Sequence, residues 1–172
     1  MKNLRKITLA LFIGAASFSS LFTSCNSDPC KDIQCDNGGV CTEGSCDCPA
    51  GYEGASCETR SIVKYLGTYT GNGIDDQGGN YTGWKLVISQ TDSSLTKANF
   101  ALLDNSLVQQ LTFTGSISST GAITLDDKTT TNYLYTLGSG TLTSTSANLT
   151  FKESDNPGGT NPYIYTFSNM IK

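Results

Sequence analysis

The sequence predicts an all-β protein: a small disulfide-rich module followed by an antiparallel β-barrel or flattened barrel, with a β-sandwich as the alternative for the second part. Three observations lead there. Six of the seven cysteines crowd into residues 30–57. From residue 61 to 172 there is no cysteine, and apolar residues alternate with polar ones along short runs. No stretch of that second part carries apolar residues at the spacing of a helical stripe.

Taken in chain order, the first element is an export signal. Lys2, Arg5 and Lys6 give a basic start, Ile7 to Phe18 is apolar or small almost throughout, and Ser19 and Ser20 open a small-residue exit. These are the parts of a secretory signal. The apolar stretch is too short to span a bilayer comfortably, which takes roughly 20 apolar residues. The end of the segment, Leu21-Phe22-Thr23-Ser24-Cys25, resembles the lipobox of bacterial lipoproteins, with Leu21 one place further upstream than the strict pattern and Phe22 where an aliphatic residue is usual. The resemblance implies that residues 1–24 are removed and that Cys25 carries a diacylglycerol thioether and an acyl chain on its amine. Residues 25–29 would then be a lipidated tether, anchored in a bacterial outer membrane and displayed outward, with a periplasm-facing orientation as the alternative. Ordinary cleavage would instead leave Cys25 a free thiol. The difference is large, because one acyl chain anchors marginally and two or more hold firmly.

The remaining cysteines, Cys30, Cys35, Cys41, Cys46, Cys48 and Cys57, follow the spacing C-x4-C-x5-C-x4-C-x-C-x8-C. A segment this short cannot bury enough apolar surface to fold unaided, so in an exported chain the cysteines read as three disulfides. Thiolate metal binding is the other reading, but the chain has no histidine and the compartment is oxidising. Spacing alone leaves about fifteen pairings open. The motifs "CDNGGVC" and "CDCPAGYEGASC" resemble an EGF-like domain over residues 30–58. That resemblance implies the pairs Cys30 with Cys41, Cys35 with Cys46, and Cys48 with Cys57. Gly38 and Gly39 suit backbone angles closed to other residues, Glu43 and Gly44 suit a hairpin turn, and Tyr52 offers the one large ring. A calcium-binding version of the family is not expected. Asn26 and Asp28 suit two ligand places, but Pro29 stands where Glu or Gln is wanted and the loop after Cys41 is too short.

Residues 61–172 form the second domain. Trp84, Leu86 and Ile88 fall on one side of "WKLVISQ"; Leu107, Leu111, Phe113 and Ile117 alternate in the next long run; Ala147, Leu149 and Phe151, then Tyr163, Tyr165 and Phe167, follow. Period two marks strands with one buried face. Turn-rich segments such as "SSTG" and "SDNPGGTNP" separate them. Hairpin-joined strands in this length suggest an up-and-down barrel closed by the tail strand near Tyr163 to Phe167. The opening "KYLGTYTGN" resembles the lipocalin-like or calycin-like β-domains of bacterial lipoproteins, which implies the same architecture.

Removal of residues 1–24 takes away three basic residues and leaves 8 against 15 acidic ones, a net charge of about −7. No basic footprint for nucleic acid exists. Without histidine, Ser-His-Asp, Cys-His and histidine-ligated zinc devices are excluded. The adjacent acids Asp75–Asp76 and Asp126–Asp127 could in principle act as paired carboxylates, but turn-like settings favour solvation and local hydrogen bonds for both. No catalytic residue, no metal and no cofactor beyond the lipid on Cys25 is expected. The candidate ligand contact is the segment 70–84, read as the longest irregular connection, where Asp75, Asp76, Tyr81 and Trp84 combine acids with flat rings; the alternative is a plain hairpin loop with Trp84 turned inward as core, in alternation with Leu86 and Ile88. The expected function is a non-catalytic binding or adhesion module that meets a protein or glycan at the cell surface and reaches the membrane through its anchor. A lipocalin-like carrier of a small apolar ligand is the alternative, and it needs a hollow interior.

Overall fold

A computed structural model of the chain describes residues 28–91, 94–155 and 162–172. The expected export signal, Cys25, Asn26 and most of the segment 154–162 therefore lie outside the described residues. What is described is all-β, apart from one 3-10 turn at Val63–Tyr65.

The N-terminal module has two small ladders. β1 (Val40–Thr42) and β2 (Ser45–Asp47) pair antiparallel, with Glu43 and Gly44 between them at φ of 51° and 90°. Those positive angles are what a two-residue hairpin turn of right-handed twist demands. β3 (Tyr52–Glu53) pairs with β4 (Thr59–Arg60). The disulfides join Cys30 to Cys41, Cys35 to Cys46 and Cys48 to Cys57, the pairing that the EGF-like pattern implies. Gly39 is required by space, since a Cβ there would stand 2.7 Å from Cys57 Sγ.

The rest of the chain forms a closed eight-stranded antiparallel barrel. Its strands are β5 (Gly67–Asp75), β6 (Asn80–Gln90), β7 (Lys97–Leu103), β8 (Gln109–Ile117), β9 (Ala122–Leu125), β11 (Tyr133–Leu142), β12 (Ser146–Asp155) and β13 (Tyr163–Ile171). β10 (Lys128–Thr129) continues the line of β9 in unbroken register against β11: Ala122 faces Thr141 and Lys128 faces Tyr135. Each barrel strand lies beside its sequence neighbour, and β13 closes the ring against β5. Closure leaves no free sheet edge around the ring, the usual hazard of an open sheet.

Alternation decides which side chains point inward. Ala98, Phe100 and Leu102 on β7 are buried, as are Ala147, Leu149 and Phe151 on β12. Bulges shift the phase. In β11 Leu137 takes φ 54° and turns out to solvent, and Leu142 then points inward; in β13 Asn169 takes φ 51°, and Met170 is brought into the core. Leu107 departs from its expected place in the inward run. It sits in the tight β7–β8 turn at φ 64°, exposed, while Leu111 and Phe113 face the interior.

One end of the barrel is plugged by the chain that enters it. Ile62 and Tyr65 are buried there; the Tyr65 hydroxyl donates to the Ser119 carbonyl at 2.9 Å, and the Tyr69 hydroxyl donates to the Tyr65 carbonyl at 2.8 Å. The module is fastened at this same end. Ser61 N–H donates to the Gly51 carbonyl at 2.9 Å, and Lys64 pairs with Glu53 at 2.6 Å. The other end, where β5 runs out at Asp75 and β6 begins at Asn80, faces away from the module.

Candidate binding site at the mouth of the barrel

The far end of the barrel holds a cup of about 280 Å³. Its floor and walls come from inward positions near the strand ends, where the residues change from aliphatic to aromatic; in β6 a bulge at Gly83, φ 68°, lets Tyr81 and Trp84 face inward three positions apart. β6 contributes Tyr81 and Trp84, β13 contributes Tyr165 and Phe167, β12 contributes Phe151 and Glu153, and β11 contributes Tyr133 and Tyr135. Gln110 and Leu111 of β8 complete the wall.

The rings form a continuous belt. Trp84 meets Tyr81 edge-on at 5.5 Å, Tyr81 meets Tyr165 at 5.6 Å, Tyr165 stacks on Phe151 at 5.1 Å, and the series continues through Tyr135 at 6.2 Å to Tyr133 at 6.3 Å. These are the offset and tilted separations that aromatic quadrupoles favour. Beneath the belt the interior is filled by Leu86, Phe100, Leu102 and Leu149, all at most 1 % exposed.

Two glycines of β5 make room for this arrangement. Gly71 and Gly73 take inward positions, and a Cβ on Gly73 would stand 2.5 Å from the Phe167 ring. Gly73→Ala is therefore expected to destabilise the fold by about 1–3 kcal/mol, the range for overpacking. Trp84, whose ring lies 5.6 Å from Phe167, should then emit further to the red. Urea unfolding followed by fluorescence checks both effects.

The four residues singled out from the sequence divide between two roles. Tyr81 and Trp84 line the cup. The Asp75 carboxylate serves the turn: one oxygen accepts from Gly79 N–H at 2.7 Å and Gln77 N–H at 2.9 Å, and the other accepts from the Tyr81 hydroxyl at 2.8 Å. These donors, Gly79 foremost, hold its carboxyl below the usual range. Asp76 ties β5 to β13, accepting from Ile164 N–H at 3.0 Å. Segment 70–84 proves to be mostly strand, not an irregular connection, with only residues 76–79 between β5 and β6. Its inward positions on β5 are glycines, so they carry none of the apolar signal that marks a strand.

Burial, and next the Asp75 hydrogen bond, raise the pKa of Tyr81. Burial followed by the charge of Glu153 does the same for Tyr135 and Tyr165. Tyr81, Tyr135 and Tyr165 therefore stay protonated at neutral pH, and Glu153 is the one acidic or basic side chain in the lining among the described residues. Sequence reasoning passed over Glu153 and the β11 tyrosines, although Tyr133 and Tyr135 stand at the period-two spacing that would put both on one face.

The remaining acid pair lies on the outer wall. Asp126 accepts from the Thr114 hydroxyl at 2.8 Å and from Lys97 Nζ at 3.3 Å, and that order of influence holds its pKa down. Asp127 borders the same shallow groove beside Lys128, whose Nζ donates to the Thr112 carbonyl at 2.7 Å. In the module, Asp28 accepts from Cys30 N–H at 2.9 Å. Among the described residues no three His, Cys, Asp or Glu side chains converge as a metal site. No protein-family model matches the sequence, and no curated protein matches it.

Proposed function

We propose that the chain is an exported, lipid-anchored bacterial binding protein without catalytic activity, which meets a protein or glycan at the cell surface through the aromatic mouth of its barrel. The observation that carries this reading is the placement of the belt. The rings gather at the barrel end opposite the module, and the module is the part that follows the tether at Cys25. The EGF-like module acts as a short rigid spacer, because the stretch Thr59–Tyr65 is paired, buried or ion-paired in place of a loose linker.

The shallowness of the cup favours contact over carriage. Pockets that enclose a small ligand are typically about 300–1,000 Å³ and bury most of it; here the space is confined to the mouth, and packed side chains fill the interior below it. Rings with neutral hydroxyls suit the face of a sugar or a peptide side chain. The lack of catalysis is supported by the carboxylates that could have formed a pair, since Asp75, Asp76 and Asp126 are each engaged in holding backbone or a wall contact.

Trp84 is the sole tryptophan of the sequence and lies in the cup, so its emission reports occupancy. Titration of the mature chain with a panel of envelope oligosaccharides and short peptides is expected to give a saturable change with at least one class. A response confined to fatty acids or retinoids would replace this reading with the carrier. Protease shaving of intact cells, read by mass spectrometry, is expected to release peptides from Ser61 onward.

A further inference from the structure

The chemistry of the cup is more selective than a generic aromatic surface. Glu153 stands at an inward position of β12, directly across from Tyr135 on one neighbouring strand and Tyr163 on the other. Tyr133 and Tyr165 lie one inward step away on those same strands, so four phenol rings surround one carboxylate. Tyr81 and then Trp84 continue the wall from Tyr165. Glu153 takes part in no ion pair among the described residues, where the pairs are Lys64–Glu53 and Lys97–Asp126. No lysine or arginine lines the cup. It is a half-buried carboxylate among aromatic side chains, hydrogen-bonded to Tyr135 and with no cation of its own.

From this juxtaposition we propose that the cup binds a methylated ammonium group, of the trimethylammonium type carried by choline or by trimethyl-lysine. The inference rests on the reading of the mouth as the contact site and names the chemistry it takes. A positive charge over ring faces is attracted by their quadrupoles, with Trp the strongest of the three aromatic types. A primary ammonium is strongly hydrated and brings three N–H donors. Seven of the ten residues that line the cup are aromatic, so ring faces would take the place of most of that water. A trimethylated ammonium has no N–H to satisfy and sheds its water at lower cost. An anionic ligand would meet Glu153 with nothing to balance it, and the net negative charge of the mature chain attracts cations over distance.

The test is titration of the mature, disulfide-intact chain with choline, with a trimethyl-lysine peptide, with the unmethylated peptide, and with 3,3-dimethylbutan-1-ol, the uncharged carbon analogue of choline, each read by Trp84 emission. Choline or the trimethylated peptide is expected to bind about tenfold or more tightly than its uncharged or unmethylated counterpart. Tighter capture of choline assigns a small molecule or head group as the source, and tighter capture of the peptide assigns a modified protein; either supports the proposal. Glu153→Gln should remove most of that preference while leaving the neutral analogue unaffected. Tyr133→Ala, which trims a rim ring 42 % exposed, should weaken choline severalfold without changing the melting temperature. Equal binding of the neutral analogue, an unaltered preference in Glu153→Gln, or no response to any of the four probes at millimolar concentration would overturn the ammonium assignment. The contact reading stands or falls separately, on the oligosaccharide and peptide panel.

Discussion

Phe100→Ala is expected to lower the unfolding free energy by about 3–5 kcal/mol, the cost of removing a buried phenyl ring and leaving part of its volume empty. Phe100 is fully buried in the middle of β7, with Ile88 across from it on β6 and Phe113 on β8. Its ring lies over Gly115, where a Cβ would come within 3.2 Å of it. The neighbours are strands of a closed ring, hydrogen-bonded on both sides, so the wall has little freedom to collapse into the vacancy. Domains of this size have only about 5–15 kcal/mol of stability in total, so a large share would be lost. Ile74→Ala serves as control: Ile74 faces outward on β5, 58 % exposed, and its loss should stay within about 0.5 kcal/mol. Urea midpoints for the two variants measure the contrast. A small effect at Phe100 would mean a loosely filled interior, which is what a carrier requires and a surface-contact protein does not.

The architecture was legible because both of its physical drivers leave marks in the sequence. Covalent staples show as cysteines, and half-buried strands show as alternation, as in Ala98-Phe100-Leu102 and Ala147-Leu149-Phe151. Barrel closure was less visible, since it depends on strand count and register. The places that misled are those where a strand departs from simple alternation. Gly71 and Gly73 face inward without an apolar side chain because the Met170 and Phe167 side chains fill their volume, so β5 read as a loop. Bulges at Leu137 and Asn169 move the inward set by one position, which no fixed period captures. Leu107 kept the expected parity but lies past the end of the ladder, in a turn whose other backbone groups are bound by Asp104. Of the candidate site, the rings on β6 could be read locally. Glu153, Tyr135 and Tyr165 could not, because what joins them to Trp84 is the closing of a ring between residues some seventy positions apart.

Loss of the disulfides should have the second large effect, confined to one end of the molecule. Among the described residues Cys57 is the one fully buried hydrophobic side chain of the module, so residues 30–60 have almost no core apart from the sulfur bridges. Each bridge closes a short loop, with sequence separations of 11, 11 and 9, and contributes about 3 kcal/mol through the restricted unfolded chain. Replacing Cys48 and Cys57 with alanine also empties the contact against Gly39, so this variant is expected to unfold the module at physiological temperature. The barrel has its own closed ladder and its own buried cluster, and Trp84 lies at the end away from the module. Limited proteolysis should therefore cut the variant within residues 28–60 while leaving a resistant fragment from about residue 61, with Trp84 emission unchanged. Some barrel stability should go too, because Ser61 and Lys64 lose their partners at Gly51 and Glu53 and the plug at Ile62 and Tyr65 is held from one side only. The consequence for the proposed role is mechanical. With the bridges intact, the mouth is held at a set distance and direction from the start of the module; without them, the proposed binding head would hang on about thirty residues of slack chain. Isolated affinity would survive the change and capture at a crowded surface would not. A shift of Trp84 emission in step with cleavage of the module would instead make the two parts one cooperative body, and the division into spacer and head would have to be abandoned.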